Sequence, residues 1–104
     1  MNPEVDRLIR EAISGHRLIR FRLDGFVRVA EPHDYGSLKE IDRVLVYQVG
    51  GGSHSGRLPD WRLVTVEKMS GLEVLEQTFV GPRETPTRRR HHWDQLYASV
   101  YQER

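Results

Sequence analysis

The sequence predicts an α+β domain: an amino-terminal helix packed on a strongly bent antiparallel sheet or small β-barrel of about five strands, with a second helix at the carboxy terminus. Three observations carry that expectation. An apolar stripe at helical spacing fills the start of the chain, runs of period-two alternation punctuated by glycine and proline fill residues 16–80, and another helically spaced stripe closes it.

Asn2 and Pro3 open the first helix, because asparagine can accept from the unpaired amides of the first turn and proline there has no amide to lose. Val5, Leu8, Ile9, Ala12 and Ile13 then share one face, Glu4 and Asp6 complement the helix dipole, and Gly15 predicts a left-handed stop. From His16 the period becomes two, with Ile19, Phe21 and Leu23 facing the core and Arg20 and Arg22 facing away. Asp24-Gly25 predicts a tight hairpin into a second strand, where Val27 and Val29 alternate with Arg28. Pro32 lacks a backbone donor and predicts the end of that strand, with "HDYGS" as loop. "RVLVYQV" is apolar on both faces and predicts a more buried strand ending at Gly50. After a glycine-rich loop and Pro59, "WRLVTVEKM" predicts a fourth strand, and Ser70-Gly71 leads into a fifth, "LEVLEQ". Residues 81–90, "GPRETPTRRR", hold two prolines and no apolar side chain, which predicts an exposed linker between a unit over residues 1–80 and a terminal helix over residues 91–104. Trp93, Leu96, Tyr97, Val100 and Tyr101 supply that helix with its apolar stripe.

With 104 residues the chain is one domain long and buries roughly 60 to 70% of its unfolded surface. A net charge of +1 argues against nucleic-acid binding by bulk charge alone, although Arg83, Arg88, Arg89, Arg90, His91 and His92 crowd together. The absence of cysteine excludes disulfides, cysteine-ligated zinc and thiolate catalysis. No apolar run approaches the ~18 residues that span a bilayer, and the amino terminus lacks a signal-peptide core, so a cytoplasmic protein without membrane contact is expected.

Gly51 and Gly56 have the spacing of a phosphate-binding loop, but Arg57 and Leu58 stand where lysine and a hydroxyl residue belong, and a strand rather than a helix follows. The loop therefore reads as a strand connection, with Arg57 at its rim. His16, His33 and His54 fall in three different turns and His91 and His92 are adjacent, so neither a metal site nor a cofactor is expected. Ser53-His54-Ser55 lies in the loop, a poor place to hold catalytic geometry, and no enzyme is expected. Arginine on strands is more informative. Arg20, Arg22, Arg28 and Arg62 are each flanked by apolar residues and read as projecting from non-core faces, where guanidinium groups fork onto phosphate or carboxylate. Tyr47 and Trp61, with Phe26, offer rings for stacking. The plainer reading is a solvated face whose arginines pair with Asp24, Glu31 and Glu67.

The segments "LIREAISGHRLIRFRLDG", "RVAEPHDYG", "LVYQVGG" and "WRLVTVEKMSGLEVL" together resemble the WYL domain, a family of bacterial regulatory domains, over residues 5–80. Phe21 takes the aromatic centre of the family's first strand, Glu31-Pro32 its Glu-Pro pair, Tyr47 its strand tyrosine, Arg62 its leading arginine, and Glu67-Lys68-Met69 its Asp-Arg-Ile. Asp42-Arg43 replaces the Trp-Tyr pair that names the family, and Thr65 replaces a second strand arginine. The resemblance implies an Sm-like barrel whose basic groove senses nucleic acid or a nucleotide, here as a solitary, divergent domain without the usual winged helix.

Residues and resemblance together lead to an expected function: a non-catalytic ligand-sensing or nucleic-acid-binding regulatory module. Arg20, Arg22, Arg28, Arg62 and Lys68 contact the anion, and Tyr47 and Trp61 stack on its bases. The alternative is a protein-interaction or homo-oligomerisation module that docks through the barrel or the terminal segment "HWDQLYASVYQ".

Overall fold

A computed structural model of the chain describes residues 2–54, 56–84 and 93–101. Helix α1 spans Pro3–Gly15, and Asn2 caps it by accepting from the amides of Glu4 (2.9 Å) and Val5 (3.2 Å). The left-handed residue that stops it is His16 (φ 51°), not Gly15. His16 holds that conformation because its amide caps the carbonyls of Ala12 and Ile13 while its ring stacks on Phe79, 5.4 Å between centroids.

Six strands follow: β1 Arg17–Leu23, β2 Phe26–Leu38, β3 Ile41–Gly51, β4 Asp60–Thr65, β5 Ser70–Thr78 and β6 Gln95–Ser99, with a short 3₁₀ turn, Val66–Lys68, between β4 and β5. All pairings are antiparallel, in the order β4-β3-β2-β1-β5, and β6 pairs with β2. Among the described residues β4 and β5 do not meet, so the sheet is not closed into the expected barrel. Asp24 (φ 53°) and Gly25 (φ 82°) turn β1 into β2 as a two-residue hairpin with both central residues left-handed.

Two expectations are corrected. Pro32 does not end the second strand, because β1 pairs with β2 only as far as Ala30 and β6 takes up the same edge from Asp34. Pro32 therefore sits in a gap on that edge, beside a bulge in the pairing with β3, where no ladder donor is required. The terminal helix is replaced by β6. Tyr97 packs edge-on against Tyr35 (4.9 Å) and its hydroxyl donates to Asp42, while Val100 enters the core, so the apolar stripe serves a strand and the turn after it. Of the expected linker, Gly81 is buried and Arg83 is anchored, as described below; residues 85–92 and 102–104 lie outside the described residues.

The core lies between α1 and one face of the sheet. Ile9, Ala12 and Ile13 pack on Ile19, Phe21, Ala30, Tyr35, Val44, Val46 and Val64. Tyr35 is fully buried and its hydroxyl donates to Asp6 at 2.8 Å, which satisfies the one polar atom it carries inward. Burial alone would raise the Asp6 carboxyl, but the hydrogen bonds from Tyr35 and Arg10 outweigh it and hold the group below its usual range.

Candidate functional site

Pairing register assigns each predicted contact residue to a face, because directly opposed residues in an antiparallel pair point to the same side. Arg20 and Arg22 lie opposite Val29 and Val27 on the outer face, as expected, and Arg20 forms an ion pair with Glu73. Arg28 lies opposite Phe21 and Arg62 opposite Val46, so both belong to the inner face, which corrects their expected outward projection. Tyr47 and Trp61 oppose each other on the outer face, and Lys68 is exposed on the 3₁₀ turn. The predicted set thus divides, with Arg28 and Arg62 together on the inner face, Tyr47 and Trp61 together on the outer face, and Arg20, Arg22 and Lys68 in neither cluster. The hairpin carried the missing signal: a two-residue turn at Asp24-Gly25 pairs Leu23 with Phe26, and counting back pairs Phe21 with Arg28.

At the inner-face cluster Arg28 is only 4% exposed. Its guanidinium donates to the Leu23 carbonyl (3.4 and 3.3 Å) and to Gln48 Oε1 (3.3 Å), and its Cζ lies 5.6 Å from the Phe26 ring centre. Arg28 makes no ion pair among the described residues. Burial holds its pKa down, the positive charge of Arg62 pushes the same way, and Asp24 opposes both. Gln48 is oriented by donating to the carbonyls of Gly50 and Gly52, each at 3.0 Å. Arg62 donates to Ser53 Oγ at 3.0 Å, which ties β4 to the glycine loop. The loop itself is pressed onto β2: a Cβ at Gly51 would lie 2.0 Å from the Val27 carbonyl oxygen, and one at Gly52 would lie 2.5 Å from the Phe26 ring. Its glycines serve close approach, and they bring Ser53 to Arg62 and His54 edge-on to Phe26 at 5.0 Å. Gln48, Ser53 and His54 had no sequence signal beyond their place beside the loop.

The outer-face cluster is built around His33, which is fully buried at the β2 bulge. Its Nδ1 lies 2.9 Å from the Glu31 carbonyl oxygen, which can only accept, so Nδ1 carries the proton and Nε2 accepts from the Arg83 amide at 3.3 Å. Trp61, Phe79 and Tyr101 surround the imidazole, at 4.8, 5.5 and 5.7 Å between centroids. Arg83 forks onto Glu31 with Nε–Oε1 at 2.6 Å and Nη2–Oε2 at 3.0 Å, and its Cζ stands 4.4 Å from the centre of the Tyr47 ring. Tyr101 donates its hydroxyl to the Arg83 carbonyl. The sequence marks Arg83 only as part of an exposed linker and its basic cluster, and no local pattern reveals a carboxylate partner 52 positions away.

Burial lowers the His33 pKa against the opposing influence of the Glu31 carbonyl and the Glu31 and Asp34 charges, and Arg83 adds to the lowering. The unfolded histidine takes a proton near pH 6.5 and the folded one resists it, so the unfolded state binds more protons below that pH. Stability is expected to be complete above about pH 6.5 and to fall by at most about 1.4 kcal/mol per pH unit beneath it, until the folded pKa is reached. Thermal melts at successive pH values on the wild type and His33→Gln check this, and an equal slope in both proteins counts against it. Asp6 contributes lower down, as pH falls through the carboxylate range.

Among the described residues no group of three His, Asp or Glu side chains is placed to hold a metal, and no helix is long and apolar enough to cross a membrane. No family profile, curated protein or solved structure matches the chain.

Proposed function

We propose that the chain is a non-catalytic sensing module of the WYL type that takes a nucleotide, or the phosphates of single-stranded nucleic acid, at Arg28 and Arg62. One observation carries the reading: Arg28 is buried and, among the described residues, forms no ion pair with a carboxylate, while the charge of Arg62 depresses its pKa against the weaker opposing charge of Asp24. Burying a charge is costly unless it is paired, and carbonyl oxygens compensate it only in part. An anion between the two arginines relieves both the desolvation and their mutual repulsion, and Ser53 and the loop lie at hand to complete its hydrogen bonds. Phe26 and His54, rather than Tyr47 and Trp61, supply rings on this side for a base. The amino-terminal helix followed by an antiparallel sheet agrees with the α+β part of the architecture that the WYL resemblance implies, whereas the barrel it implies is not closed among the described residues.

Fluorescence anisotropy with a labelled single-stranded oligonucleotide tests the proposal. Binding is expected at low salt, with log affinity falling linearly in log salt concentration, and Arg62→Gln is expected to reduce that slope by about one. Arg28→Met is expected to abolish binding while leaving stability unchanged or about 1 kcal/mol higher, because an uncompensated charge gives way to apolar volume. No binding of oligonucleotide or free nucleotide at low salt overturns the proposal.

A further inference from the structure

One corner of the outer face, away from Arg20 and Arg22, carries chemistry of the opposite sign. A cavity of about 470 Å³ opens there, lined by Tyr47, Pro59, Asp60, Trp61, Arg83 and Glu84. Tyr47 and Trp61 form two of its walls, 5.1 Å apart between centroids and inclined at 61°. Among the described residues, three carboxylates serve this corner, Glu31, Asp60 and Glu84, against the guanidinium of Arg83. Asp60 accepts only the amide of Trp61, and neither it nor Glu84 makes an ion pair among the described residues.

We infer that Glu31, Tyr47, Trp61, Asp60 and Glu84 form a guanidinium receptor, which Arg83 of the same chain fills and which a guanidinium-bearing ligand, an arginine side chain or a small guanidinium compound, takes in its place. Both elements of guanidinium recognition are present and loaded: a carboxylate accepting a two-point fork and an aromatic face at stacking distance. Receptor and occupant differ in how firmly they are held. The Glu31 side chain is 6% exposed and is fixed in a central strand, whereas that of Arg83 is 47% exposed and is carried on a non-helical, non-strand segment after β5. The receptor carboxylate therefore stays in place when the occupant leaves, and the surplus acids at the rim favour an incoming cation. An ammonium cannot reproduce the planar fork, so lysine is excluded by geometry rather than by charge. This site lies on the opposite face from Arg28 and Arg62, so the two proposals stand or fall separately.

The test follows the Trp61 indole N–H by NMR in the wild type, Arg83→Ala, Arg83→Lys and Arg83→Ala/Glu31→Gln proteins. The probes are ethylguanidinium, a short peptide with one arginine, and the same peptide with lysine. Arg83 acts as a tethered competitor, so Arg83→Ala is expected to bind ethylguanidinium with a saturable shift and at least about tenfold more tightly than the wild type. The double variant is expected to lose the response, and ethylguanidinium is expected to raise the melting temperature of Arg83→Ala but not of the double variant. Tighter binding of the arginine peptide identifies a protein source, and equal binding a small compound. If Arg83→Ala does not fold, Arg83→Lys, which keeps a charge beside Glu31 without the fork, provides the same readout. The inference is overturned by the absence of a saturable shift in every Arg83 variant that folds, by an equal response to the lysine peptide, or by an unchanged response in the double variant.

Discussion

Removing residues 93–104 is expected to abolish the cooperative thermal transition of this protein. The deletion takes away β6, and with it Tyr97, Ala98 and Val100 from the core or its margin. It also takes the Ser99 hydroxyl that donates to buried Asp34 at 2.5 Å, and the Val100 amide that donates to the His33 carbonyl at 2.8 Å. Arg10 loses the Tyr97 carbonyl (3.2 Å) and a ring 5.5 Å beneath its guanidinium, so α1 is loosened as well. Each large-to-nothing loss in a core costs about 2 to 5 kcal/mol, and a small domain has only about 5 to 15 kcal/mol in total. Circular dichroism and calorimetric melts check the outcome, and a truncated chain that still melts sharply near the wild-type temperature contradicts it. The same deletion therefore cannot report on self-association, because it removes the fold before any interface.

Gly36→Ala attacks the same junction with a single methyl group, and is expected to cost roughly 3 kcal/mol, the upper part of the range for overpacking. A Cβ at Gly36 would stand 2.3 Å from the Gln95 carbonyl oxygen, 2.9 Å from Trp93 Cε3 and 3.1 Å from Leu96 Cα. Two of those atoms are backbone, so no rotamer change relieves the clash and β6 itself must move. Gly15→Ala is the control: its Cβ would meet only the flexible Arg17 side chain at 3.4 Å, at a helical position where alanine is favoured. Urea denaturation is expected to separate the two variants clearly, and equal midpoints argue against β6 being seated by the missing Cβ.

Local chemistry made α1 and the first hairpin legible. Asn2-Pro3 and Asp24-Gly25 each act within four residues of themselves, and the structure contains both as predicted. β6 was not legible because Trp93, Leu96, Tyr97, Val100 and Tyr101 fall at helical spacing, although only Gln95–Ser99 forms the strand. Pro32 misled for a related reason, since the gap it occupies exists only because β1 and β6 share one edge of β2. At the candidate site, Arg20 and Arg22 were placed correctly by alternation with Ile19 and Phe21. Arg28 was not, because its apolar neighbours Val27 and Val29 suggest the buried face, whereas Val27 is 42% exposed and Arg28 lies opposite Phe21. Alternation alone separates Trp61 from Arg62, but the grouping of Tyr47 with Trp61 depends on the register between β3 and β4, which the loop leaves unspecified in sequence.

The unclosed sheet also bears on solubility. Among the described residues, strand edges on β4, β5 and the five-residue β6 retain unpaired backbone groups of the kind that recruit a second chain and seed aggregates. β4 offers only six residues and starts directly after Pro59, which has no amide to donate. β5 is longer, but its pairing with β1 is broken by register shifts, Gly71 is left-handed (φ 60°), and Glu73 and Glu76 are exposed along it. An edge that is short, or irregular and acidic, is a poor template for a second chain, so the open edges of this sheet are poor seeds for extension.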